Sequence, residues 1–393
     1  MIENFKKEIL ALIFETVEVF DSELSLHEPV FSDLDKQYVL SCIESGWVSS
    51  AGNFLSSFEE EIAKICGTKF AVALINGTAA LELALRAVGV QPKDEVICPS
   101  LTFVATANAI SHIGALPNFV DSEKDNYGID ALKLRKYLNR IAKVLNGKVY
   151  NKDTGNKISA IVAVHVFGHP IEFSPLKQIS MDYGIPIVED AAEALGSLYK
   201  EKPCGSLGAA AAFSFNGNKI ITTGAGGALT TNDEAIARAV RHLATTAKLS
   251  HKWRFRHDQI GFNYRMANLN AALGLAQIQH FPKILMNKRA LAKKYLAFPL
   301  ASSIGEILSE PKNSRSNYWL NSLKLSPNLF QYRDEILDYL HENNVYVRPA
   351  WDPLHTLGIY RHCPKDNLEN TENLVARTIN LPSSSNLISG LEL

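Results

Sequence analysis

The chain has 393 residues, too many for one small core, and this length predicts a large domain with a smaller companion. Hydrophobic residues make up 46% and charged residues 21%, which excludes a disordered chain. Lys and Arg total 40 against 41 Asp and Glu, so no net field draws in nucleic acid or an anionic membrane, and any phosphate-bearing ligand must be held locally.

Phe5, Ile9, Ile13, Val17 and Phe20 recur at helical spacing. They predict an amphipathic first helix that packs on the domain or on a partner subunit. Its apolar stretch from Ile9 to Phe14 is short and ends at Glu15, so no signal peptide is expected. Nowhere do about 18 apolar residues run together as a membrane span requires. Phe70–Ile75 then reads as a buried strand, and Asn76-Gly77-Thr78 turns it into an Ala/Leu-rich helix ending near Gly89. Glu95–Cys98 is a strand, Phe103–Ile113 a helix, Leu116–Val120 a strand and Asp130–Leu145 a helix with Asp130 as N-cap.

Asp153-Thr154-Gly155-Asn156 marks the turn of a surface hairpin over Tyr150–Lys157. Ser159–Val166 and Pro186–Val188 are apolar strands with a helix, Pro175–Tyr183, between them. Phe213–Phe215 and Gly227–Thr231 read as a final strand pair before a helix over Asp233–Ala244. Strands alternating with helices predict an α/β fold whose mainly parallel sheet is covered on both faces. Beyond about Tyr295, Pro and Asn become frequent, and Asp334–Asn343 (helix) and Val345–Arg348 (strand) belong to a smaller α+β domain reached through a helix over Lys283–Phe298. The expected division is a helical extension over 1–30, a large domain over 31–280 and the linking helix with the small domain over 281–393. The cysteines (Cys42, Cys66, Cys98, Cys204, Cys363) are odd in number and scattered, with no CxxC pair. That predicts neither disulfides nor a zinc site, and places the protein in a reducing cytoplasm.

In parallel α/β sheets ligands bind beyond the carboxyl ends of the strands, so the residues after each strand carry the chemistry. The cluster Gly224-Ala225-Gly226-Gly227 does not complete GxGxxG, because Leu229 holds the last position, and no GxxxxGK[ST] occurs. Dinucleotide dehydrogenases and P-loop hydrolases lose their main support. The remaining pattern suits pyridoxal 5'-phosphate (PLP), which needs a lysine, a carboxylate at its ring nitrogen, a phosphate cup and a ring stacker. Lys219 follows an apolar strand in Ser214-Phe215-Asn216-Gly217-Asn218-Lys219, where it reaches into the crevice and loses hydration. A lone loop lysine is ordinarily solvated, so its neighbours must decide.

Asp190 ends the strand Ile185–Asp190; it reads equally as a ring-nitrogen partner or a helix cap. Glu193, one turn later, is placed to meet the ring oxygen, and two anions so close require a shared proton. Gly77 and Thr78 open a helix whose free amides suit a phosphate, and Ser214 adds a hydroxyl. Phe103 is the candidate to cover the ring, although core packing is the commoner fate of Phe. His165 and His169 are four apart, but Gly168 and Pro170 break any helix that would align them, so no metal site is expected. His257-Asp258 reads as surface structure.

Asn76–Leu81 (NGTAAL), Pro99–Ala107 (PSLTFVATA), Glu189–Ser197 (EDAAEALGS), Phe213–Gly227 (FSFNGNKIITTGAGG) and Gly261–Leu273 (GFNYRMANLNAAL) stand in an order that resembles the DegT/StrS-type sugar aminotransferases, a PLP family of fold type I. The resemblance covers nearly the whole chain. It implies that Lys219 is the Schiff-base lysine, Asp190 the pyridinium partner, Glu193 the contact to the ring oxygen and Phe103 the stacker. Gly77, Thr78 and Ser214 would hold the phosphate, and Asn263 would reach it from the neighbouring subunit of a homodimer. Lys219 in place of the histidine of sugar-dehydrating relatives favours amino transfer.

His27–Phe31 (HEPVF), Gly46–Ser50 (GWVSS), His165–Pro170 (HVFGHP) and Thr245–Lys248 (TTAK) resemble the LegC-like branch. That branch implies L-glutamate as donor and a UDP-linked 4-keto-6-deoxy-N-acetylhexosamine as acceptor, in surface-glycan synthesis. Trp47, Ser49, Lys248 and Trp253 lie in or near these motifs as candidates for sugar or nucleotide contact. A dTDP- or GDP-linked or 3-keto acceptor, and a PLP-binding regulator without turnover, are the rival expectations. Two departures from the family pattern are Ala225, where Gly or an acid is common, and Ala267, where Pro is common.

Overall fold

The computed structural model describes residues 2–19 and 22–389. Phe20, expected in the first helix, lies outside the described residues. The first helix, α1 (Ile2–Thr16), is followed by α2 (Asp33–Glu44) and α3 (Asn53–Cys66). The central sheet then takes β1 (Phe70–Leu74), β2 (Glu95–Pro99), β3 (Leu116–Val120), β4 (Ala142–Leu145), β5 (Lys148–Asn151), β6 (Lys157–Val164) and β7 (Ile187–Asp190). A ribbon of β8 (Leu198–Tyr199) and β9 (Lys202–Pro203) intervenes before β10 (Ala210–Ser214) and β11 (Gly227–Thr231) rejoin that sheet.

Across the sheet the order is β1-β11-β10-β7-β6-β2-β3, with the β4–β5 hairpin attached to β6. The pairs from β10 to β3 are parallel, and β11 runs antiparallel to both of its neighbours. Both faces are covered by the crossover helices α4 (Gly77–Ala87), α5 (Ala105–His112), α6 (Ala131–Ile141), α7 (Phe173–Tyr183) and α8 (Glu234–Ala244). Alternation along β6 explains why. Ala160, Val162 and Val164 enter the core under α4 and α5, while Ile161 and Ala163 enter the opposite core under α6 and α7.

The helix expected over Asp130–Leu145 is shorter. It stops at Ile141, and Ala142–Leu145 turns back as β4 against β5. Asn146 and Gly147 both have positive φ (51° and 71°), the tight hairpin geometry that Asn-Gly favours, and this local signal overrides the helical run. The linking helix is longer than expected. As α9 it spans Asn268–Ala297 and passes through Pro282, where the expected start at Lys283 reflects the helix-breaking character of proline. Phe281 and Ile284 pack in the core shared with α3, and Leu291 and Tyr295 in the core of the small sheet, so burial at both ends outweighs the lost hydrogen bond.

After α9 comes the small unit. A short exposed hairpin, β12 (Lys248–Leu249) with β13 (Arg256–His257), precedes α9. A four-stranded antiparallel sheet is built from β14 (Gly305–Ile307), β16 (Asn321–Leu325), β17 (Arg348–Pro349) and β18 (Thr378–Leu381), with α10 (Arg333–Glu342) and α11 (Glu369–Arg377). The strand expected over Val345–Arg348 is confined to Arg348–Pro349, because Val345 bridges Leu24 instead. Strand β15 (Ser314–Arg315) pairs with β8 and ties this unit to the β8–β9 ribbon. Ile9, Leu12 and Ile13 of α1 pack in the same core as Leu323 and Ile379, so the N-terminal helix rests on the small sheet.

Candidate active site

The carboxyl ends of β1, β2, β6, β7 and β10 converge on a cavity of about 360 Å³. Gly77, Thr78, Phe103, Asp190, Glu193, Ser214 and Lys219 all line it. Asn263 does not; it is exposed on the segment that bridges Thr245. Trp47, Lys248 and Trp253 also lie outside this cavity and are exposed.

Lys219 is held at the end of the β10 loop by its backbone N–H, which donates to Asn216 O at 3.0 Å. Its Nζ lies 3.3 Å from Glu193 Oε1 and 3.9 Å from the centre of the Trp319 ring, a cation–π contact. The Trp319 indole N–H donates to Asn218 O at 2.7 Å, so a residue of the small unit fixes the backbone beside the lysine. Glu193 Oε2 accepts the Phe167 N–H at 2.9 Å. Burial pushes the Glu193 carboxyl up to about 7, opposed by the Lys219 charge and reinforced by the charge of Asp190. The expectation of a shared proton near this pair agrees with that direction.

Asp190 is oriented from β2's side of the crevice. Thr106 Oγ1 donates to its Oδ2 at 2.8 Å, and Thr102 and Thr106 are joined at 2.8 Å. The Ala192 N–H donates to its Oδ1 at 3.3 Å. His165 is fully buried and exchanges no contact with His169. Its Nδ1 accepts the Ile171 N–H, so Nε2 carries the proton and donates to Glu189 at 3.0 Å. Glu189 also accepts the N–H groups of Gly205, Leu207 and Gly208, which anchors the loop between β9 and β10. His242, not His257, pairs with Asp258, at 2.7 Å on the surface.

The phosphate cup is tested by Gly77. A Cβ there would stand 2.9 Å from Ser214 Cβ and 3.2 Å from Phe213 O, so only glycine lets the start of α4 approach the end of β10 this closely. The Asn76 side chain caps α4 by accepting the Ala79 N–H at 2.8 Å, leaving the amides of Gly77 and Thr78 as the helix's free donors. Phe103 is 53% exposed, a large apolar face left uncovered at the cavity wall. An amine, a carboxylate, a glycine-bounded anion cup and an open aromatic face together fit PLP.

Several residues in or behind the cavity wall carried no individual role in the sequence. Thr106 sits inside a motif quoted for the family resemblance, yet its hydroxyl bond to Asp190 depends on the end of β2 facing β7 across β6. Trp319 and Trp351 come from the small unit, where no periodic pattern pointed to them. Their signal was composition: they are two of only four tryptophans.

This sheet order and this site define a PLP-dependent aminotransferase of fold type I. The DegT/DnrJ/EryC1/StrS aminotransferase family model matches residues 31–390. GDP-perosamine synthase of Caulobacter vibrioides is 35% identical over 367 residues, covering 93% of this chain and 94% of that protein. PseC of Helicobacter pylori, an aminotransferase involved in the biosynthesis of pseudoaminic acid, superposes with a TM-score of 0.84 at 25% identity, covering 93% and 95% of the two chains. DesI, solved with its TDP-sugar product, gives a TM-score of 0.79 at 29% identity, covering 95% and 91%. The chain belongs to the DegT/DnrJ/EryC1/StrS aminotransferase family, and it is a sugar aminotransferase. Among the described residues no helix is long and apolar enough to cross a membrane.

Proposed function

We propose that the chain moves an amino group from L-glutamate to the 4-keto carbon of a nucleotide-linked 4-keto-6-deoxy-(N-acetyl)hexosamine, for surface-glycan synthesis. The observation that carries the reading is the grouping of Lys219, Glu193 and Asp190 on one cavity at the ends of β7 and β10. PLP, when bound, supplies the electron sink for the carbon that loses or gains the amine. Asp190 would keep the ring nitrogen protonated, Glu193 would serve the ring oxygen, and Phe103 would cover the ring. Gly77, Thr78 and Ser214 would hold the phosphate. Lys219 Nζ would be the amine that holds the cofactor, and the same group would move the proton at the reacting carbon of donor and acceptor.

The same reading makes the enzyme a homodimer, with Asn263 reaching the phosphate of the neighbouring subunit. Its support is the exposure of Asn263 together with Trp253, Phe255 and Ile260, which are 70%, 77% and 90% exposed on nearby chain. Five buried cysteines without a disulfide support a reducing cytoplasm.

A GDP-linked 4-keto-6-deoxyhexose is the second reading, favoured by the GDP-perosamine synthases among the relatives. The test is a product assay with L-glutamate and PLP, offering the UDP-linked N-acetylated acceptor and the GDP-linked acceptor in parallel. Amination of the first supports the proposal, amination of the second alone replaces the acceptor, and amination of neither leaves a dTDP-linked or 3-keto acceptor.

A further inference from the structure

A second cavity, about 560 Å³, adjoins the first. Phe103, Asn218, Trp319 and Trp351 line both, so the two make one cleft with an aromatic waist. The waist is next to the reacting centre, because Trp319 lies against Lys219 Nζ and Asn218 precedes that lysine. Trp351 is braced by Phe167 at 5.0 Å between ring centres, and Phe103 stands 6.2 Å away on its other approach. One broad indole is therefore held in place at the boundary between the cavities.

Beyond the waist the lining is mainly apolar, with Leu26, Leu320, Leu354 and Leu357, and the polar side chains that interrupt it are Arg348, Asp352 and Asn380. Arg348 and Asp352 stand exposed on the rim, flanking Trp351 in sequence, and Asn380 lies buried behind them. The β17–β18 pairing sets Arg348 opposite Asn380, so the arginine rises from a fixed strand. Among the described residues the Arg348 guanidinium and the Asp352 carboxylate have no hydrogen-bond or ion-pair partner, and they do not pair with each other. A rim with one unpaired cation and one unpaired anion suits a ligand that is both donor and acceptor. A hydroxyl is such a group: it accepts from guanidinium and donates to carboxylate. A diphosphate would meet Asp352 as a like charge.

We propose that the second cavity holds the pyranose ring of the acceptor, with Trp351 as its stacking face and Arg348 and Asp352 reading its hydroxyls. These two residues then determine acceptor specificity. The inference rests on the sugar acceptor proposed above and adds where its ring sits. L-Glutamate, a five-carbon chain, needs only the first cavity. The two half-reactions therefore share Lys219 but differ in their use of the rim.

The test is rapid-mixing spectroscopy of each half-reaction on the PLP-loaded enzyme with Asp352→Ala, Arg348→Met and the conservative Asp352→Asn. The acceptor half-reaction should need about 10- to 100-fold more keto-sugar nucleotide in the first two variants, as for a lost hydrogen bond to a charged group, with partial recovery in Asp352→Asn. The donor half-reaction should keep its dependence on L-glutamate within about 2-fold. Equal losses in both halves, or no loss in either, overturn the proposal. A second measurement is calorimetric binding of a nucleotide-sugar and of the bare nucleoside diphosphate. The sugar should tighten wild-type binding by about tenfold or more, and Trp351→Leu should abolish that gain. Equal affinity of the two ligands for the wild type overturns the proposal while leaving sugar amination intact. Failure of the wild type to aminate any keto-sugar nucleotide overturns the acceptor assignment and this inference with it.

Discussion

Lys219 Nζ and Glu193 Oε1 lie 3.3 Å apart, and burial holds the glutamate's proton to about pH 7. A buried acid that titrates near neutrality, touching the one amine in the crevice, gives the site a proton that either group can carry. The second glutamate oxygen is fixed by the Phe167 N–H, so the carboxyl cannot swing away from the lysine without losing a hydrogen bond.

In the cofactor-free protein this proton has a measurable consequence. A carboxyl raised from 4.5 to about 7 binds more protons folded than unfolded, so it makes stability fall as pH rises through that window. Glu193→Gln should remove that part of the fall. Urea midpoints from pH 4.5 to 8 check it: wild type and variant should diverge with pH, and parallel curves would contradict the burial argument.

Lys288 acts in the opposite window. It is 1% exposed, donates to Trp319 O at 3.1 Å and to Ser383 O, and burial lowers its ammonium from 10.5 to about 7. The unfolded chain then binds the extra proton between these values, so stability should rise with pH from about 7 to 10.5, by about 5 kcal/mol at most. Lys288→Met should flatten that rise in the same unfolding series. The variant may be compared at each pH against wild type, and an unchanged slope would show that the lysine keeps its charge inside.

Asp190→Asn keeps the shape of the residue and its contact with Thr106 but removes the charge. The donor half-reaction should slow by about 10² to 10⁴-fold while PLP still binds. Stopped-flow absorbance after mixing with L-glutamate measures this directly. A rate within a few-fold of wild type would mean that the ring nitrogen needs no carboxylate here.

Gly77→Ala places a methyl 2.9 Å from Ser214 Cβ. The start of α4 must then move off β10, and PLP affinity should fall by about tenfold or more, in line with 1–3 kcal/mol for overpacking. Titration of the cofactor-free variant with PLP reads the change. Unaltered affinity would place the phosphate elsewhere.

Much of this site was legible because its residues follow short apolar strands. Asp190 and Lys219 could be placed at strand ends without knowing which strands were neighbours. Segments whose structure depends on tertiary contacts were harder to read. α2 exposes Leu40 and Ile43, 55% and 54%, so its apolar stripe is blurred and no helix was read there. α3 does carry a regular stripe, with Leu55, Phe58, Ile62 and Cys66 buried, so this helix has a clear signal in the sequence. Pro282 hid the first half of α9, and Asn146-Gly147 cut α6 short through turn chemistry. Trp319 and Trp351 reach the cavity only because the small sheet docks against the large one, a relationship no local pattern encodes.

The central claim is that Lys219 carries PLP and delivers it to an amino donor. The visible spectrum of the PLP-loaded protein, before and after excess L-glutamate, tests it most directly, with Lys219→Ala as the control. The account predicts a lysine-bound band in the wild type that shifts to the aminated form on adding glutamate, and a Lys219→Ala variant whose transfer rate falls by at least about 10³-fold. A wild-type band that glutamate leaves unmoved, or a Lys219→Ala variant that transfers at the normal rate, would contradict it.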